Sequence, residues 1–173
     1  MTPPPPSSSI PDGRWTSRLP DLGPRGEGWV LIQFLLLGLL ALAGSFGPAW
    51  AGVARAVSTL AGAALIVGGF ILALRGLLDL RENLTPFPRP KEGTTVVAHG
   101  AYRLVRHPIY GGIILGSLGW GLVAASPAAL GTAAVLAAFF DLKSRREERW
   151  LDEHVTGYVA YREGRRKLIP WVY

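Results

Sequence analysis

Two short stretches hold most of the side chains in this 173-residue chain that could do chemistry. The first, GAYRLVRHPIYGG from Gly100 to Gly112, sets Tyr102, Arg103, Arg106, His107 and Tyr110 just before a run of membrane-grade apolar sequence. The second, DLKSRREERWLDEHVTGYVAYREGRRKLIP from Asp141, carries Glu147, Glu148, Tyr158 and Tyr161. His107 precedes a proline, which pushes it out of the helical region, while Pro108 suits the first turn of a helix, where its missing N–H costs nothing. His107 is therefore expected at a break between a short helix, opening after Gly100 and ending near Arg106, and a longer one that follows. The start of the longer helix turns free N–H groups and a positive dipole end toward Arg106 and His107, which suits an anionic group. Glu147 and Glu148 fall where the last apolar block ends, on the same expected side, so acid and base groups distant in sequence can converge there.

Each of these residues also has a plainer reading. Arg103 and Arg106 taken singly read as cations snorkelling to lipid phosphate, Tyr102 and Tyr110 as aromatics of an interfacial belt, and His99 as a loop residue. The acidic and basic residues after Asp141 read as a solvated face, with Lys143 and Glu147, and Arg149 and Glu153, spaced four apart for local ion pairs. The conjunction of Arg-His-Pro with Tyr110 at a membrane entrance, together with the two glutamates, favours a site. The absence of cysteine excludes disulfides, cysteine-ligated zinc and a cysteine nucleophile, and no metal site is expected. A formal charge of +6 raises the question of nucleic acid, but no nucleic-acid-binding motif is present, and the basic residues sit between apolar blocks, as beside anionic headgroups.

The elements that must position these residues are apolar and helical. The chain is 49% hydrophobic with a positive mean hydropathy, in blocks too apolar for an ordinary soluble domain. Residues 1–28, rich in Pro, Ser and Gly, are expected to be a disordered tail and not a signal peptide. Four blocks follow, Trp29 to about Phe46, about Val57 to Leu74, Ile109 to Ala125 and about Ala128 to Leu142, the last two joined by Ser126 and Pro127 as a helical hairpin. Glycines 62, 68, 69, 112, 116 and 119 within them allow close helix packing, or alternatively a backbone opened for a ligand. Pro86, Pro88 and Pro90 make the stretch before Gly100 an extended connector. Trp150, Leu151, His154, Val155 and Tyr158 share one helical face, so an interfacial helix is expected from about Lys143 to Thr156. Four crossings put seventeen of the eighteen Lys and Arg residues on one side, which should be cytoplasmic and hold both termini. The expected architecture is an all-α integral membrane protein, four transmembrane helices plus an interfacial C-terminal helix, forming one domain over residues 29–173.

GAYRLVRHPIYGG, followed about 35 residues later by EERWLDEHVTGYVAYREGRRKLIP, resembles the isoprenylcysteine carboxyl methyltransferase family and its phospholipid methyltransferase relatives. In those proteins Arg-His-Pro-x-Tyr opens a membrane helix, and Glu-Glu-x-x-Leu followed by a tyrosine pair and Ile-Pro closes the catalytic half, here about residues 83–170. Arg106, His107, Pro108 and Tyr110 match the first motif, Glu147, Glu148 and Leu151 the second, and Tyr158 and Tyr161 the tyrosine pair. The resemblance implies S-adenosylmethionine as methyl donor in a cytoplasm-facing pocket walled by these residues and Tyr102, with Arg106, His107 and Glu148 closest to the chemistry. It further implies a lipophilic acceptor arriving from the bilayer, membrane lipids as partners, and the bacterial inner membrane as location. The donor carries a carboxylate, an ammonium and a sulfonium, which ask for a cationic or N–H anchor, carboxylate partners and electron-rich walls. A carboxylate acceptor is nucleophilic as it stands, whereas an amine or thiol must first lose a proton, to His107 or a glutamate. Two alternatives stand beside this reading: an NAD(P)H-dependent enzyme of the sterol reductase type, and a non-catalytic membrane scaffold or sensor.

Overall fold

The computed structural model describes Pro20 and residues 22–46, 49–87 and 93–173, with Glu82 described by its backbone alone. Most of the expected N-terminal tail, and Pro88 and Pro90 of the connector, lie outside the described residues. The described residues are helical and contain no strand: α1 spans Glu27–Ala43, α2 Gly52–Leu80, α3 Pro108–Ala124, α4 Pro127–His154 and α5 Tyr158–Arg162.

The helix boundaries follow local chemistry. Gly26, at φ 83°, turns the chain into α1, and Trp29 just inside it donates from Nε1 to the Pro20 carbonyl at 3.2 Å. Pro108 opens α3 directly after His107, whose ψ of 67° is the expected non-helical break. Ser126 caps α4, its Oγ accepting from Ala129 N at 3.2 Å, and Pro127 takes the first helical position. The same hydroxyl donates to the Ala43 carbonyl at 2.7 Å, so the end of α1 meets the start of α4 and the two run antiparallel. Helix α3 lies between α2 and α4, and α1 packs on α4.

Glycine sets the closeness of α2 and α3. A methyl group built on Gly62 would stand 2.6 Å from the Gly119 carbonyl oxygen, and one on Gly69 would stand 2.5 Å from that of Gly112. These separations belong to backbones in direct contact, so of the two readings of these glycines the structure supports packing. Gly68 and Gly116, by contrast, have open space around the same position.

Several expectations need correction. Helix α4 does not stop near Leu142 to leave a separate interfacial helix; it continues unbroken through Lys143 to His154, because no proline or glycine interrupts residues 132–154. Val155 then leaves the helical region, and Tyr158 belongs to α5, not to the face that carries Leu151. On that expected face Leu151, Val155 and Tyr158 are buried, but His154 is exposed and stacks on Trp150 at 4.4 Å. Helix α2 outruns its apolar block at both ends, and the helix expected up to Arg106 is a single 3-10 turn, Gly100–Arg103.

Among the described residues α2 alone combines the length and the composition needed to cross a membrane; α1 and α3 are apolar but 17 residues each. Leu31, Phe34, Leu35, Leu39 and Leu42 of α1 and Leu60, Val67, Phe70 and Ile71 of α2 are exposed, an apolar surface larger than water normally tolerates. Gly69→Leu or Gly112→Leu should cost about 1–3 kcal/mol, since the neighbouring atoms are backbone and cannot yield, whereas Gly68→Leu should be close to neutral. Thermal unfolding of the three purified variants in one detergent checks the contrast.

Candidate active site

The Arg106–His107 dipeptide is fixed by its backbone before its side chains are considered. Arg106 N donates to the Arg166 carbonyl at 2.9 Å and His107 N to that of Lys167 at 3.0 Å, beside a parallel bridge between Val105 and Arg166. The C-terminal segment is in turn tied to α4, with Lys167 Nζ 2.5 Å from Asp141 Oδ1 and 3.0 Å from the Asp141 carbonyl. The 3-10 turn is held from the other side, where Ala101 N donates to Asp79 Oδ2 at 2.7 Å and the Tyr161 hydroxyl to the Tyr102 carbonyl at 2.8 Å.

Glu148 gathers the charged groups. Its Oε1 lies 2.9 Å from His107 Nε2 and 3.2 Å from Arg106 Nη1, with the histidine side chain 5% exposed and the glutamate 10%. So short a contact with a carboxylate requires a proton on Nε2. Burial alone would raise the Glu148 carboxyl, but the hydrogen bond from His107 and the charges of His107, Arg106 and Lys167 outweigh it and hold the group below the usual carboxylate range. Glu147, the next residue, accepts from the Tyr110 hydroxyl at 2.9 Å and lies 3.8 Å from His107 Nδ1. The His107 and Tyr110 rings are parallel to within 5° at 5.5 Å, and Tyr110 stacks in turn on Phe140 at 4.8 Å.

A cavity of about 330 Å3 opens against this cluster. Of the residues singled out in the sequence, Tyr102, Arg106, His107, Tyr110, Glu147, Tyr158 and Tyr161 line it, whereas Pro108 and Glu148 do not. Glu148 stands behind Arg106 and His107, on the side away from the space they border. Burial pushes the Tyr102 and Tyr158 phenols far above their ordinary range and Tyr161 up to about 12, so all three are neutral rings and hydroxyl donors, not bases.

The remaining wall was not anticipated. Gln33 of α1, Lys143 of α4, the end of α2 and the connector residues 83–86 and 94–97 also line it, with Ile109, Ile113, Leu151 and Val155 adding apolar surface. Lys143 is 1% exposed; its Nζ donates to Gln33 Oε1 at 2.6 Å and to the Pro86 carbonyl at 3.1 Å, and stands 5.2 Å over the Tyr110 ring. The expected Lys143–Glu147 ion pair gives way to these contacts. Arg149, expected to pair with Glu153, has Nε and Nη2 buried without a hydrogen-bond partner among the described residues, while Glu153 lies 3.9 Å from His154 Nδ1. The spacing of Lys143, Glu147 and Leu151 by four was the available signal, since all three line the cavity from one face of α4.

A phospholipid methyltransferase family model matches residues 57–156. The chain is also similar to the protein-S-isoprenylcysteine O-methyltransferase A of Arabidopsis thaliana, 29% identical over 115 residues that cover 64% of this chain and 58% of that protein. The aligned region thus spans little more than half the length of that curated relative. No solved structure matches the chain.

Removing the Glu148 charge leaves the buried Arg106 guanidinium without its counter-ion and the His107 ring N–H without a carboxylate acceptor, and Glu148→Gln should destabilise the protein by about 3–5 kcal/mol near neutral pH. The Glu148 carboxyl is lowered in the fold, so its contribution is present above the unfolded value of 4.5 and is lost as pH falls through the folded one. Thermal unfolding across acid pH should therefore bring the wild-type and Glu148→Gln curves together below pH 4.5, and curves that stay equally far apart would mean that the carboxylate charge is not what stabilises.

Proposed function

The chain belongs to the phospholipid methyltransferase family, and on that premise we propose that it is a membrane-embedded, S-adenosylmethionine-dependent methyltransferase acting on a lipophilic acceptor, most like the carboxylate of an isoprenylcysteine. The observation that carries this reading is the cavity in which the residues of both motifs meet. It is polar where Arg106, His107 and Glu147 border it and apolar where Leu77, Leu80, Ile109 and Ile113 do, so a water-soluble donor and a lipid-borne acceptor can share it.

The chemistry of the wall fits the donor. Arg106 Nε is buried without a hydrogen-bond partner among the described residues, while Nη1 is engaged by Glu148, so the guanidinium retains a donor for a carboxylate. A buried donor left without an acceptor costs about 1–3 kcal/mol, which a bound carboxylate would recover. Glu147 offers a carboxylate for an ammonium, and the rings of Tyr102, Tyr158 and Tyr161 offer π faces for a sulfonium. When bound, the donor supplies a methyl group on a positively charged sulfur. The protein then has to hold the two reactants in line and keep water out, and no enzyme nucleophile is required. A carboxylate acceptor needs no base, which agrees with neutral phenols around the cavity; an amine or thiol would have to give its proton to His107 or Glu147.

In this reading the bundle crosses the bilayer four times, with α4 spanning through its first half and rising from the membrane as the charged half that bears Glu147 and Glu148. At 1.5 Å per residue, α1 and α3 cover about 26 Å each, which suits a thin or locally deformed bilayer. The exposed apolar side chains of α1 and α2 meet lipid, and the described Lys and Arg residues other than Arg55 belong to the segments on the side of the cavity, which the positive-inside rule makes cytoplasmic, in a bacterial inner membrane.

Reporter fusions after residue 52 and after Tyr173 should land on opposite sides of the membrane; the same side for both would remove the four-crossing arrangement. Calorimetry with S-adenosylhomocysteine on detergent-purified protein should give saturable binding, weakened roughly ten- to a hundredfold in Arg106→Gln. No binding to the wild type would remove the donor, and a screen of acceptors with labelled donor would then identify the second substrate where binding is found.

A further inference from the structure

A second recess lies outside the cavity, between the end of the 3-10 turn and the C-terminal segment. It has a volume of about 260 Å3, and its walls include Arg103, Arg165, Arg166, Leu104 and Trp171 but no acidic residue. Arg165 is fixed in place, its guanidinium 4.5 Å over the Tyr161 ring and its Nη1 2.6 Å from the Tyr161 carbonyl. The Arg103 and Arg166 side chains are exposed and make no hydrogen bond or ion pair among the described residues. Three guanidiniums around one hollow repel one another unless an anion sits between them, and planar forks of N–H donors match phosphate oxygens better than any other common anion except a carboxylate.

The rim says where that anion comes from. Trp171 is 83% exposed, Val172 71% and Leu104 46%, so the basic hollow is bordered by apolar side chains that none of the described residues covers. Arginine beside exposed tryptophan and leucine is the composition of a surface lying at the level of lipid headgroups. Trp171 also has φ 62°, a left-handed conformation unusual for a bulky residue, in the turn where Leu168 N and Ile169 N each donate to the Tyr173 carbonyl at 2.8 Å. That turn holds the aromatic rim beside Arg166.

We propose that this recess is a binding site for the phosphate group of an anionic membrane lipid, held by Arg103, Arg165 and Arg166, with Leu104 and Trp171 against the top of its chains. The site is separate from the cavity yet coupled to it through the backbone, because the carbonyls of Arg166 and Lys167 receive the amides of Arg106 and His107. The proposal uses the membrane placement argued above but not the methyl-transfer reading, so failure to bind lipid leaves donor binding untouched and the reverse is equally true.

The test uses the full chain, purified in a neutral detergent and depleted of lipid. Its thermal unfolding is followed against increasing dihexanoyl phosphatidylglycerol, dihexanoyl phosphatidylcholine or inorganic phosphate. Phosphatidylglycerol should raise the unfolding temperature saturably and phosphatidylcholine should not. At roughly five- to sixfold per arginine near a charged lipid surface, the pair Arg103→Gln and Arg166→Gln should weaken the phosphatidylglycerol effect by about thirtyfold. Arg75→Gln with Arg81→Gln, two basic residues outside the recess, should leave it unchanged. Inorganic phosphate as effective as the lipid would overturn the lipid assignment and give the site to a soluble phosphate. An equal loss in both pairs, or no response to phosphatidylglycerol, would overturn the site itself.

Discussion

A carboxylate shared by a guanidinium and an imidazole organises the mouth of the bundle. Glu148 projects from α4 into the angle between Arg106 and His107, and all three are largely removed from water. Any one of them alone in that position would be costly, because the desolvation of an isolated charge exceeds what a single neutral hydrogen bond returns. Together they form an arrangement in which removing a member exposes the others, so α3 and α4 are locked at this height. The lock also selects which atoms remain available. Arg106 spends Nη1 on Glu148 and keeps Nε, and His107 spends Nε2 and keeps Nδ1, facing Glu147.

The period of an α-helix explains why adjacent glutamates do different work. Successive residues are turned by about 100°, so Glu147 and Glu148 cannot face the same space. Lys143, Glu147 and Leu151 lie on the cavity face, while Phe140, Ser144 and Glu148 lie on the buried face toward the interior of the bundle. A single unbroken α4 is needed for this, since one helix has to carry the apolar packing residues Leu136 and Phe140 and the charged pair in continuous register. Proximity in sequence therefore brought two carboxylates to one level, and helical rotation gave one to the cavity and one to the frame behind it.

Much of this was legible in the chain, and the missing parts have physical reasons. Proline chemistry sufficed for the break at His107, the start of α3 and the turn at Ser126, because those constraints act within two or three residues. The meeting of the two motifs followed from the two helix ends being on one side of the bundle. Lys143 was read as a surface cation pairing with Glu147; its true partners, Gln33 and Pro86, are 110 and 57 residues away, and no local pattern encodes them. The close packing of the glycines was read, but not which two helices they join or the period that says so. Glycines 62, 69 and 76 recur every seven residues, as do 112 and 119, and such a repeat in both helices places the small residues on one facing seam.

The segment matched by the family, residues 57–156, does not contain the whole wall of the cavity. Gln33 enters from α1 before it, and Tyr158 and Tyr161 enter from α5 after it, together with the carbonyls of Arg166 and Lys167 that hold Arg106 and His107. Helix α1 has to reach past the α1–α2 turn and lie along α4, not beside α2, for Gln33 to meet Lys143. That placement is fixed at the opposite end of the bundle by Ser126, which caps α4 and binds the end of α1 with the same hydroxyl. The matched segment thus supplies the charged half of the cavity, and the flanking segments supply the clamp on its backbone and one polar contact at its far side. Variation in α1 can reshape the far side of the cavity without touching the Arg106–His107–Glu148 contacts, whose side chains all lie within the matched residues, whereas variation at Arg166 and Lys167 would loosen the backbone clamp that aims two of them.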